Sequence, residues 1–182
     1  MNAYQIYTIA LIVCGLASLV IAFWAGRMNV ARLFKWEGLP RDRKMAVVLV
    51  FLCLLWCVPH AKPIVWDWML PWLYPLAITF SILGFLFLDY LFARAVGGFF
   101  ILLTYYFVHK AFDFHTPVLP LFVIMCWALG ILGLFFSGKP HLCRDFIRKL
   151  AKSSRIRYTT VAYFSAYALL CLTLGIIHIF RV

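Results

Sequence analysis

Charge is scarce in this chain: 13% of its 182 residues are Asp, Glu, Lys or Arg, and only 6 of them are acidic. An ordinary soluble domain carries about 25% charged residues, so that class is excluded. Disorder is excluded as well, because disordered segments are poor in aromatic and β-branched residues, whereas 19% of this chain is Phe, Tyr or Trp. Walker, Rossmann, H-E-x-x-H and G-x-S-x-G patterns are missing. So are an internal repeat and any inverted pair of Gly/Pro-broken helices, which mark solenoids and many secondary transporters. The longest hydrophilic connection, residues 138–158, falls short of the roughly 40 residues at which an unassisted domain becomes plausible. Any chemistry must therefore sit within the apolar segments or at their two surfaces.

What is present is a series of long apolar runs, in a chain that is 66% hydrophobic. A bilayer core about 30 Å thick takes roughly 17–25 apolar residues per helix. Six runs qualify as candidates: Tyr4–Ala25, Met45–Val58, Leu70–Leu91, Ala95–Val108, Pro117–Ser137 and Thr159–Phe180. The second and fourth are short, and flanking Arg43, Lys44, His109 and Lys110 can snorkel to let those helices run on. The first has no basic segment before it and no A-x-A site after it, so it reads as a helix rather than a cleaved secretory signal. The expected fold is all-α, a single transmembrane domain over residues 1–182 with six spans.

Charge placement orients the six spans. Lys and Arg collect in short cytoplasmic loops, and here fourteen of the 17 fall on one side, in the loops 26–44 and 138–158 and at Arg94, leaving Lys62, Lys110 and Arg181 on the other. If the second run did not cross, the two basic loops would lie on opposite faces. The expectation is thus a bacterial-type inner membrane with both termini outside. The same bias accounts for the net charge of +11, so no nucleic-acid partner is inferred.

Within the spans, Ala10, Cys14, Ser18 and Ala22 recur every fourth residue, and Ala162, Ala166, Cys171 and Gly175 form a similar series. Small-residue stripes let helix backbones approach in lipid, either inside this bundle or at a seam with a partner subunit or a second copy. Of the six cysteines, Cys53 and Cys57 alone are close in sequence. They share a helix face, and scattered buried Cys otherwise serve as small apolar packing residues.

On the inner surface, residues 141–157 have the pattern of an amphipathic helix. Leu142, Phe146, Ile147 and Leu150 form one face, and Arg144, Arg148, Lys149, Lys152 and Arg155 supply the other. A cationic helix of this kind lies in the interface and attracts anionic headgroups of the cytoplasmic leaflet. Asp89 and Arg94 stand in the tight turn between the third and fourth runs, where an interfacial ion pair is expected. Asp89 followed by Ala93-Arg94 is similar to the opening of the CDP-alcohol phosphotransferase motif. Tyr90 stands where that motif has Gly, however, and no Gly-x-x-x-Asp-x-x-x-Asp follows, so the carboxylates that would hold its metal ions are missing.

On the outer surface fall His60, His109, His115 and His178, with Asp67 and Asp113. The simplest account is a wet interfacial rim. A transition metal would use His109 with Asp113, four residues apart on one helix face. A haem b would take His109 and His178, from different spans at similar depth, as axial ligands. No cofactor is required by the sequence. Three functions are weighed: a non-catalytic accessory or helix-packing subunit seated on anionic lipid, which needs only the features named; a small transporter or lipid-handling protein; and a membrane enzyme or redox subunit built on the outer histidines.

Overall fold

The computed structural model describes residues 3–38, 43–62, 65–88 and 90–180, and every regular element among them is helical. In order these are α1 (Ala3–Gly26), α2 (Val30–Glu37), α3 (Arg43–Ala61), a 3₁₀ turn (Asp67–Trp72), α4 (Leu73–Phe87), α5 (Leu91–Asp113), α6 (Leu119–Gly138), α7 (His141–Lys152) and α8 (Ser154–Phe180). Proline marks the starts: Pro75 and Pro120 lie in the first turns of α4 and α6, where a backbone N–H has no intrahelical acceptor and its loss costs little.

Among the described residues five helical stretches are long and apolar enough to cross a membrane: α1, the 3₁₀ turn with α4 (Asp67–Phe87), α5, α6 and α8. The chain therefore has the make-up of a multi-pass helical membrane protein. The run expected over Met45–Val58 lies in α3, whose apolar part, Met45–Ala61, is shorter. The run expected over Ala95–Val108 is longer than its apolar core, because α5 continues through His109 and Lys110 to Asp113, with Lys110 Nζ 2.8 Å from the Asp113 carboxylate three residues on. The segment over residues 141–157, expected as a single amphipathic helix, is broken in two. Ser153 ends α7 by donating its N–H to the Lys149 carbonyl and starts α8 by accepting from the Arg157 N–H.

The chain divides into two compact units. The first comprises Met1–Phe34, Thr104–Ala128 and Phe146–Val182. Here α1 and α8 pack antiparallel over their length, and the contact depends on small residues. A Cβ at Gly15 would meet the Leu172 side chain at 2.8 Å, and one at Gly175 would meet Ile12 at the same distance. Ser18 and Ala22 on α1, and Ala168 and Cys171 on α8, are buried with them. Of the two small-residue series, Ser18, Ala22, Cys171 and Gly175 are thus used inside the chain and Ala10 and Cys14 are half-buried, whereas Ala162 and Ala166 are exposed. Arg157 Nη1 donates to the Met28 carbonyl at one end of this pair, and Tyr4 meets His178 at the other.

The second unit comprises Lys35–Leu103 and Leu129–Asp145. In it α3 packs on α4, the Cys53 thiol approaches the Ala95 carbonyl of α5 at 3.7 Å, and α5 crosses α6 at glycines. A Cβ on Gly97 would fall 2.5 Å from the Gly133 carbonyl oxygen and 2.6 Å from the Ser137 nitrogen, so only glycine permits this backbone approach.

Candidate functional site

Three groups of residues carry polar chemistry, and each is built differently. The first is the basic segment on α7. Cys143, Ile147, Leu150 and Ala151 are buried, which leaves Lys149, Lys152 and, beyond the break, Arg155 exposed, with Arg144 and Arg148 half-exposed. The 3.6-residue period of the sequence separates them in this way. Arg144 Nε lies 4.0 Å from the Asp145 carboxylate. Burial pushes the Cys143 thiol up to about 11, so it is held as the neutral SH.

The second is a buried polar chain at one end of the first unit. His178 is fully buried, its Nδ1 is 2.6 Å from the Tyr4 hydroxyl and its Nε2 is 3.5 Å from the Thr116 hydroxyl. Thr116 is 3.1 Å from the Tyr7 hydroxyl. Counting donors assigns the protons. The Tyr4 hydroxyl donates to the His178 carbonyl at 3.0 Å, so Nδ1 must carry the hydrogen and donate to Tyr4. Nε2 then accepts from Thr116, which in turn accepts from Tyr7. Four side chains from α1, α8 and the α5–α6 turn are thereby joined in one hydrogen-bonded chain. The Tyr4 and Tyr7 rings pack against the imidazole, with centroids 5.1 and 5.4 Å from it, and Phe114 packs on both tyrosines at 5.3 Å. A cavity of about 380 Å³ adjoins this chain, lined by Tyr4, Gln5, Thr8, Ile12 and His178.

Of the remaining histidines expected to share one rim, His109 comes within 3.9 Å of Asp113 on the exposed end of α5, yet Lys110 is the nearer partner of that carboxylate. His109 stacks on Tyr105 with ring centroids 5.9 Å apart, His115 sits in the turn after α5 at φ 46°, and His60 lies against Trp56 on α3. Among the described residues no three His, Cys, Asp or Glu side chains form a metal-holding group. For His178 to ligate a haem iron through Nε2, Thr116 would have to turn away. Nothing in the sequence singles out Tyr4, Tyr7 or Thr116, because their partners lie 62 to 174 residues off.

The third group surrounds Arg94. Asp89, its expected ion-pair partner, lies outside the described residues. Arg94 Nη1 donates to the Ser137 carbonyl at 3.3 Å, which ties the start of α5 to the end of α6. Its Nε is buried without a hydrogen-bond acceptor among the described residues. Beside it opens the larger cavity, about 510 Å³, between α3, α4 and α5.

No protein-family model, no curated protein and no solved structure matches the chain. Its class rests on the helices themselves and its chemistry on the three groups above.

Proposed function

We propose that this is a six-span inner-membrane protein with both termini outside, seated on anionic lipid through α7, and that its work is helix packing and lipid binding in an accessory role rather than bond-making. The carrying observation is the division of α7: apolar and thiol side chains inward at Cys143, Ile147, Leu150 and Ala151, with Lys149 and Lys152 outward. With its apolar side packed on the protein, such a helix turns its basic residues toward headgroups, and each of them near an anionic surface adds about 1 kcal/mol of attraction. The apolar outer faces of α1 and α4, with Val13, Val20, Ile78 and Leu86 exposed, fit acyl chains or the helices of partner subunits.

Native mass spectrometry tests this on the full chain taken from nanodiscs that mix phosphatidylglycerol and phosphatidylcholine. The expected result is selective retention of phosphatidylglycerol, weakened by salt and largely lost in the triple variant Lys149→Gln, Lys152→Gln, Arg155→Gln. Equal retention of both lipids by the native chain at low salt would refute the lipid seat. A bound haem or metal at fixed stoichiometry would replace the accessory role with a redox one.

A further inference from the structure

The cavity beside Arg94 has the shape and charge of an amphiphile site. It is formed by Leu54 of α3, Phe80 and Phe87 of α4, and Leu91 and Gly98 of α5, with Arg94 as the charged residue among the described side chains that line it. Its volume of about 510 Å³ lies within the roughly 300–1,000 Å³ typical of small-molecule sites. From Phe80 to Phe87 it follows α4 for about 10 Å at 1.5 Å per residue. Such a slot, apolar along its length with the Arg94 side chain in its wall between Leu91 and Gly98, suits one hydrocarbon chain beside an anion.

Arg94 is equipped for that anion. Nη1 is already engaged with the Ser137 carbonyl, which fixes the guanidinium plane, while the buried Nε has no acceptor among the described residues. A buried donor left unpaired is costly, and an Arg fork answers phosphate oxygens with short charge-assisted bonds. The positive end of the α5 dipole, one turn away, adds to the attraction. Gly98 keeps the slot open: a Cβ there meets nothing within 4 Å, in contrast to its neighbour Gly97, which is pressed against α6.

We propose that this α3–α4–α5 cavity binds one acyl chain of an anionic phospholipid, with the lipid phosphate held by Arg94. The site is separate from the basic segment on α7 and stands whether or not that helix binds lipid.

The test uses the full-length protein in phosphatidylcholine nanodiscs carrying a trace of phosphatidylglycerol, or of phosphatidylcholine, with a diazirine in one acyl chain. After irradiation, labelled peptides are mapped by mass spectrometry. The phosphatidylglycerol probe should label α4 from Phe80 to Phe87 and α5 from Leu91 to Gly98, ~10-fold above the phosphatidylcholine probe, the ratio expected for one charge-assisted hydrogen bond. Arg94→Gln and Gly98→Leu should each bring it down to the phosphatidylcholine level, the first by removing the cation and the second by filling the slot. The α7 triple variant should leave it unchanged, which separates failure of this site from failure of the α7 seat. Arg94→Lys, which keeps the charge without the fork, should give an intermediate level and covers the case in which Arg94→Gln does not fold. Equal labelling by the two probes, native labelling in folded Gly98→Leu, or displacement of the phospholipid probe by a free fatty acid at equal concentration would overturn the proposal.

Discussion

Thr116 is the residue on which the polar end of the first unit turns. Its hydroxyl takes a hydrogen from Tyr7 and gives one to His178, and all three side chains are buried. Thr116→Val keeps the shape and removes both bonds, leaving a phenol O–H and an imidazole nitrogen without partners. Such a loss costs about 1–3 kcal/mol in water-soluble cores and nearer 1 kcal/mol within membranes. The midpoint of unfolding in mixed detergent and SDS should therefore fall clearly for Thr116→Val and hardly move for Thr173→Val, whose exposed hydroxyl only bonds back to Leu170. Equal midpoints would mean that the directed hydrogen-bond chain contributes nothing. The sequence offered His178 as a haem ligand because it stands at a depth similar to His109 on a different span, yet its actual surroundings, a phenol on each side and a hydroxyl between, are assembled from α1, α8 and a turn. Period and spacing report neighbours along one helix, so a bond between residues 4 and 178 leaves no trace in them.

Among the elements, α7 states its own orientation in the sequence, and α5 does not. For α7 the apolar and basic positions alternate with the helical period, and the buried set (Cys143, Ile147, Leu150) includes two of the four residues expected on its apolar face. Where α7 stops was hidden, since Ser153 is neither Gly nor Pro and the basic residues continue past it. The extension of α5 was legible: its apolar run ends at Val108, but His109 and Lys110 can snorkel and let the helix run on, and it continues to Asp113, which pairs with Lys110 three residues before it. The seating of α7 has a pH-dependent signature at Cys143. Thiolate is the nucleophile, and burial lifts this thiol to about 11. The neutral form is thus favoured in the folded chain at all pH values below that, and reactivity must rise with pH rather than fall. At pH 8, maleimide labelling of Cys143, read by peptide mapping, should be ~100-fold slower in the native protein than in SDS, the ratio set by a shift of about two units. It should climb about tenfold per pH unit until near 11. Native labelling at the SDS rate would mean that α7 does not bury its apolar side.

At the scale of the whole molecule, the apolar runs carried the class and most helix positions. They did not carry the Arg94 cavity, which exists only once α3, α4 and α5 are brought together. The membrane topology proposed above turns on α3, whose apolar part, Met45–Ala61, is shorter than the five candidate spans among the described residues. If α3 crosses, Trp66 emerges opposite the loop that contains Arg27 and Arg32, and Lys152 lies on the same side as that loop, so the basic residues gather in one compartment as the positive-inside bias favours. If α3 lies along the surface, Trp66 stays with the first basic loop and Lys152 moves to the far side, splitting the basic residues between two compartments. Both positions are well exposed, Trp66 at 73% and Lys152 on the outward side of α7, and the native cysteines are buried or half-buried, so single substitutions report cleanly. In intact cells a membrane-impermeant maleimide should label Trp66→Cys at once and Lys152→Cys only after permeabilisation. The reverse pattern is what a surface-lying α3 gives, and it would also place the α7 basic residues on the side where anionic lipid is sparse, removing the lipid seat together with the sixth span.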